Sequence, residues 1–266
     1  MSFILTNTDT MRSNGLKHAL MNIIALLFGI CTFAQMQGGA SYLPVPDLSA
    51  ATYTLAVHEV NFEGVSNLGK QRLSYDQVKG SPFIYEEFHQ AEIFMKDGRS
   101  MGKYMVKFNL LTQEFHFLGK DKAEMVVPND IVRKIVVYDK TDTAVQKAVF
   151  VRTVDFTTPG GKPIGEYAEQ LNNGNAILYK VSKKNVVTAD SLFGTLKRYY
   201  FGTTDVYFAG MNGRITQLKK LSDDVIFTAL PAVGKLEDWV RKNKINLKKE
   251  EGVLAMLHQW NASFKQ

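Results

Sequence analysis

Two stretches of this chain place chemistry-bearing residues at spacings that enzymes use. Gly64-Val65-Ser66-Asn67-Leu68-Gly69-Lys70 fits the opening of a phosphate-binding loop, G-x-x-x-x-G-K, whose backbone amides and lysine would cradle nucleotide phosphates. The next residue should be Ser or Thr to hold Mg²⁺, but it is Gln71. No buried parallel strand precedes the match and no amphipathic helix follows it, so it reads as coincidence. Ser100-Met101-Gly102-Lys103 fits S-x-x-K, the nucleophile motif of penicillin-recognising enzymes. That chemistry needs Ser and Lys one helical turn apart. Here the four residues follow an Asp97-Gly98 turn and feed a strand, where positions i and i+3 face opposite ways. Ser222-Asp223-Asp224 only approximates the companion S-D-N, and K-T-G is absent.

Histidines and carboxylates offer little more. Beyond residue 34 the histidines are His58, His89, His116 and His258, and no two sit at metal-ligand spacing. His58-Glu59 lacks the second histidine of H-E-x-x-H, so no metal site is expected. His116 falls on the strand face opposite Phe115 and Phe117 and is expected at the surface. Glycoside hydrolysis needs two acids about 5–10 Å apart across a cleft. Glu86-Glu87 and Asp223-Asp224 are adjacent in sequence, and Asp223-Asp224 is explained by the positive end of a helix dipole. Tyr199, Tyr200, Phe201, Tyr207 and Phe208 could line a sugar platform where they face outward, but alternation sends about half of them to a core. The catalytic residues are thus unknown, and no cofactor is implied.

Any site must be carried by a chain whose start reads as an address. Arg12 and Lys17 supply a positive region, Ile23–Phe33 a short apolar core, and Thr32-Phe33-Ala34 small residues at a cleavage site. Cleavage between Ala34 and Gln35 is expected. The apolar run is well short of the ~20 residues that span a bilayer, so a retained anchor is the lesser alternative. Cys31 raises a third reading, an acylated N-terminal cysteine, although Ile30 stands where a small residue is wanted. The residues before Met11 fit no part of a leader, leaving Met1 or Met11 as the start.

Cys31 is the only cysteine, so cleavage leaves no disulfide, thiolate site or cysteine nucleophile. Loss of Arg12, Lys17 and Asp9 changes the formal charge from +6 by −2 and +1, to +5. The basic residues are scattered in pairs such as Lys183-Lys184, Lys197-Arg198, Lys219-Lys220 and Lys248-Lys249, without a block of like charge. Nucleic-acid binding is therefore not expected, and the charge reads as solvated faces with only a weak allowance for attraction to anionic envelope polymers. No later segment is long and apolar enough for a stable membrane span.

Four regions follow. Residues 1–34 are the upstream extension and signal peptide, and 35–80 an extended lead-in with one strand near Tyr53–Val60 and a loop over Phe62–Lys79. Residues 81–220 form a β-rich body, and 221–266 hold C-terminal helices that pack on it. Asp97-Gly98 and Asn212-Gly213 are hairpin signals. Tyr104, Val106, Phe108 and Leu110 alternate with Met105, Lys107 and Asn109, and Phe115 and Phe117 with Glu114, His116 and Leu118, at the period of half-buried strands. Val149–Asp155, Ala176–Val181, Lys197–Phe201, Asp205–Ala209 and Ile215–Leu218 read as further strands, and Glu166–Leu171 as a short helical turn. Helices are expected over Val225–Leu230, Lys235–Lys242 and Lys248–Ala262, the last with Val253, Met256, Leu257 and Trp260 on one face. The fold class is α+β, mostly antiparallel β meander and hairpins with a short C-terminal helical segment.

Gly80-Ser81-Pro82-Phe83, Phe94-Met95-Lys96-Asp97-Gly98, Lys107-Phe108-Asn109 and Glu114-Phe115-His116-Phe117 resemble a recurrent block in secreted β-rich proteins of Bacteroidetes-type bacteria. The tail Val240–Glu251 and the Thr-Phe-Ala-Gln leader end are similar to the same proteins. The resemblance spans about two thirds of the mature chain, in turns and strands of a functionally uncharacterised family, and so implies location and fold without chemistry. The expectation is an exported, non-enzymatic envelope or secreted protein presenting a β-sheet surface to an envelope protein or polysaccharide. The alternative is a carbohydrate-acting hydrolase whose Asp/Glu pair comes from distant strands.

Overall fold

The computed structural model describes residues 59–63, 70–119, 121–154, 156, 158, 161, 164–190 and 197–263, all within the compact unit Val45–Gln266. Two strands, β1 (Glu59–Glu63) and β2 (Lys70–Ser74), pair antiparallel as a ribbon. The body is one ten-stranded antiparallel sheet. Its first strands are β3 (His89–Met95), β4 (Ser100–Asn109), β5 (Glu114–Leu118) and β6 (Glu124–Val126), followed by β7 (Val132–Tyr138) and β8 (Gln146–Arg152). Then come β9 (Tyr167–Gln170), β10 (Ala176–Asp190), β11 (Lys197–Met211) and β12 (Arg214–Leu218). Two meanders are fused: β3 to β6 runs outward, the chain returns to the free side of β3, and β7 to β12 runs the other way. Three helices close the chain: α1 (Asp223–Ala229), α2 (Glu237–Lys242), preceded by a 3-10 turn, and α3 (Glu250–Ala262).

Hairpin chemistry fixes the register. Asn212 and Gly213 both take positive φ, 52° and 77°, as a two-residue turn between right-twisted strands requires. Alternation along β4 and β5 then buries Val106, Phe108, Phe115 and Phe117 on one face. Phe115 reaches Phe150 of β8 at 5.3 Å and Tyr167 of β9 at 5.0 Å between ring centroids. In a flat sheet β5 and β9 would lie about 24 Å apart, five strand spacings, so the sheet curls around a filled aromatic core. Lys184 donates its backbone N–H to Leu110 O at 3.0 Å, and Gln113 Nε2 donates to Ser182 O at 2.9 Å, tying β10 to the β4–β5 turn. A second core joins Ala176, Leu178 and Ala209 of the sheet to the helices through Val253, Met256, Leu257 and Trp260. A third lies on the opposite face of β9–β11, where Phe156 packs on Tyr179 and Phe208.

Several local expectations need correction. The stretch read as loop over Phe62–Lys79 holds β2 and a 3-10 turn, so the lead-in carries two strands; their polar composition hides the pairing, which is made by backbone. Residues 166–171 are not a helical turn: β9 pairs with β8 and β10, and Tyr167 and Ala168 are buried on opposite faces. The two strands expected over 197–209 are one, β11, matched residue for residue with β10 from Ala176↔Met211 to Asp190↔Lys197. Half of that hairpin extends past the cores, where apolar periodicity has nothing to report. His116 is 1% exposed rather than at the surface. Residues 75–88 cover its face of β4–β5, with Phe83 edge-on to the imidazole at 5.4 Å and Ile84 N–H donating to Phe108 O at 3.0 Å. The strand expected near Tyr53 begins outside the described residues.

Candidate functional site

The sheet's outer face, away from the aromatic core, is covered at β4–β5 by residues 75–88 and at β9–β11 by the third core. Between them, over β3, β7 and β8, lies a trough of about 800 Å³, within the range of ligand sites. Phe94, Phe156, Tyr179 and Ile215 contribute apolar lining, and Val154 stands 60% exposed beside it. Lys96, Arg133, Lys134 and Arg152 also line it, while no carboxylate does among the described residues.

A β-bulge places two of these cations. Phe94 pairs with Lys134 but Met95 pairs with Val132, so Arg133 is an extra residue in the β7 ladder. Val132 and Ile135 are both 0% exposed in the aromatic core, and the two intervening residues are left outside it. Bulges re-aim side chains in this way and recur next to binding sites. Lys134 Nζ lies 4.6 Å from the Phe94 ring centroid, a cation–π arrangement that holds the ammonium over the apolar lining. Arg152 is anchored by Glu166, Nη2 to Oε2 at 2.8 Å, and its guanidinium carbon lies 5.1 Å from the Tyr167 ring centroid. Arg152 is the cross-strand partner of Tyr167 and two residues from Phe150, so its guanidinium lies on the aromatic-core face and the outward-facing cations of the trough are Lys96, Arg133 and Lys134.

Two polar clusters lie elsewhere. At the seam between sheet and helices, Lys180 Nζ meets Glu250 Oε2 at 3.0 Å and Glu169 Oε2 at 3.9 Å, and Tyr207 donates its O–H to Glu250 at 2.9 Å. Burial raises the Glu169 pKa against the opposing pull of Lys180. Both carboxylates lie within 4 Å of one ammonium, which sets them less than about 8 Å apart, inside the glycosidase range. The adjoining space, walled by Phe108, Phe150 and Tyr167, is too small to admit water. The second cluster is under residues 75–88: Glu124 accepts from Lys107 at 2.9 Å and lies 2.5 Å from His116 Nδ1. Lys107 Nζ sits 4.0 Å from the Phe83 ring centroid, and burial pulls the His116 pKa down more than Glu124 pushes it up. With His116 1% exposed, this cluster packs rather than reacts.

The residues singled out by spacing do not converge. Gly64–Gly69, His58, Ala34 and Gln35 lie outside the described residues. Ser100 and Lys103 are on strand β4; Ser100 Oγ donates to Glu92 at 2.6 Å, and Lys103 Nζ lies over the Tyr138 ring. Glu86 and Glu87 are exposed, with Glu87 paired to Lys140. Asp223 and Asp224 open α1 and are exposed. Among the aromatics, Phe208 is in the third core, Tyr207 binds Glu250, and Tyr200 is 41% exposed at the far end of β11. His89 is buried and His258 is exposed on α3. Among the described residues no three His, Cys, Asp or Glu side chains group to hold a metal ion. None of the described helices is long and apolar enough to cross a membrane. Comparison with family models, with curated proteins and with solved structures finds no match.

Proposed function

We propose that this is an exported, non-enzymatic cell-envelope or secreted protein that presents the outer face of its sheet to a partner, through the trough over β3, β7 and β8. The observation that carries the reading is the bulge in β7, which adds Arg133 and Lys134 to an apolar trough on a face otherwise sealed at both ends. The bulge keeps Val132 and Ile135 together in the core, and what supports the reading is that the two residues it leaves outside are cations set beside apolar lining. The address supports the same reading: a leader ending at Ala34 would deliver the protein to the periplasm or the medium, where partners are envelope proteins and polysaccharides. A photo-crosslinking residue at Val154, tested in the native cell, should form a covalent adduct, and one at exposed Asp238 on α2 should not. Equal labelling, or none at Val154, refutes the reading.

A second reading, glycan hydrolysis, draws on the Glu169–Glu250 pair and the raised Glu169 pKa. The ammonium held between the two acids, and the closed space beside them, favour a structural ion pair instead. Under hydrolysis Glu169→Gln abolishes release of reducing sugar from a glycan; under the binding reading no release occurs with either form.

A further inference from the structure

We propose that the trough takes a segment of an anionic polysaccharide, with the sugar rings against its apolar lining and the acidic substituents on Lys96, Arg133 and Lys134. This rests on the trough being the binding surface. Three features select the class. The cations lie among apolar walls with no described carboxylate between them, so the site complements a ligand that is both anionic and partly apolar. Pyranose rings offer C–H faces to aromatic and aliphatic side chains, while uronate or sulfate groups accept charge-assisted hydrogen bonds. Arg133 can grip a carboxylate or sulfate with its planar fork, whereas Lys134, held over Phe94, supplies a point charge at fixed height.

The position in the sheet argues against an extended acidic peptide. β3, β7 and β8 are paired on both sides, with β7 between β3 and β8 and β8 between β7 and β9. Their backbone groups are committed to ladders, so a peptide laid here could not add itself as a strand, the usual source of main-chain affinity at a sheet. A glycan needs only side chains. The cations come from the β3–β4 turn and from the neighbouring strand β7, which suits a chain lying across the strands better than along one.

The experiment titrates the purified protein with hexagalacturonate, a sulfated hexasaccharide, the fully methyl-esterified neutral hexagalacturonate, an oligothymidylate and hexaglutamate, by calorimetry. Either acidic glycan should bind, and the neutral form at least about ten-fold more weakly. Lys96→Glu with Arg133→Glu, both at exposed positions, should weaken glycan binding about ten-fold or more. Lys219→Glu with Lys220→Glu, exposed after β12, makes the same change in net charge away from the trough and should leave binding within about two-fold. Lys134→Gln gives a milder trough variant, and near-ultraviolet circular dichroism confirms that each is folded. Equal losses in the two charge-reversed proteins would assign binding to overall charge and overturn the proposal. Oligothymidylate or hexaglutamate binding as tightly as the glycans would also overturn it. Crosslinking at Val154 without glycan binding retires the polysaccharide and keeps the surface; neither result retires both.

Discussion

Replacing Gly252 with alanine sets two effects of known size against each other. Gly252 lies in the first turn of α3, and within helices alanine is favoured over glycine by roughly 1 kcal/mol. A Cβ at this position would, however, sit 2.0 Å from the carbonyl oxygen of Asn246 and 2.7 Å from its carbonyl carbon. These are backbone atoms, which cannot swing aside as a side chain would. The turn they belong to is fixed on both sides: Ile245 N–H donates to Val240 O at 3.0 Å, and Lys248 N–H to Asn246 Oδ1 at 3.0 Å. Leu247, the next residue, is 1% exposed in the second core. Restoring an ordinary van der Waals contact means moving Asn246 outward by more than about 1 Å and loosening Leu247, an overpacking change that typically costs 1–3 kcal/mol. Because the clash is with pinned backbone, the upper half of that range applies, and subtracting the helix gain leaves a net loss of about 1–2 kcal/mol. Both tryptophans of the chain, Trp239 and Trp260, belong to this helical segment, so intrinsic fluorescence reads its unfolding. In urea the midpoint of Gly252→Ala should fall by about 0.5–1 M. A midpoint equal to the parent's, or higher by what helix propensity alone supplies, would refute the reasoning.

Three further outcomes follow from the cores. Asn261→Ala removes an amide whose Oδ1 accepts from Ala176 N–H at 2.9 Å and whose Nδ2 donates to Asn173 O at 3.0 Å and Ala176 O at 2.8 Å. The urea midpoint should reveal a loss of at least about 1–3 kcal/mol, the cost of stranding a buried N–H. Phe115→Ala, which empties the stack of Phe108, Phe150 and Tyr167 rings, should cost about 3–5 kcal/mol, seen as a lowered thermal midpoint. For His116 the sign is fixed by burial. Its folded pKa is below the ordinary value, so below that value the unfolded chain binds more protons and this residue's contribution is lost as pH falls from the ordinary histidine range toward the lowered one. His116→Gln should therefore lose less stability than the parent between about pH 7 and about pH 5. Parallel curves for the two proteins would show that His116 carries no such linkage.

Patterns that depend on neighbours in sequence carried into the structure well, and those that depend on what lies above a strand did not. Alternation named Val106, Phe108, Phe115 and Phe117 as core, and helical spacing named Val253, Met256, Leu257 and Trp260, because in each case one face meets apolar groups and the period records it. The meander was legible from short, evenly spaced strands and turns. The same logic misplaced His116. Alternation says which residues share a face with Phe115, but not that residues 75–88 return to cover the other face. β9 failed for a related reason: both of its faces are buried near Tyr167 and Ala168, while Glu169 and Gln170 are polar in sequence, so no simple period survives. The far half of the β10–β11 hairpin lies beyond the three cores and is held by backbone pairing, with Phe201 edge-on to Tyr75 at 5.9 Å, which side-chain types along the strand do not announce.

The trough was illegible for a different reason. A clustered basic stripe in sequence makes a binding face visible before folding, and here the cations are spread from Lys96 to Lys134, joined only by the sheet order that sets β7 beside β3. The local clue was Val132-Arg133-Lys134-Ile135, where two polar residues separate two buried ones in a strand that otherwise alternates or is wholly apolar. A strand with strict period two cannot keep both Val132 and Ile135 inside, since they differ by an odd number of positions. Either one apolar residue is exposed or a bulge absorbs the mismatch. The chain takes the bulge, leaves the core intact, and delivers two adjacent cations to one place on the outer face. The core thus accounts for the bulge, and the two cations it leaves outside are those the proposed binding surface would use.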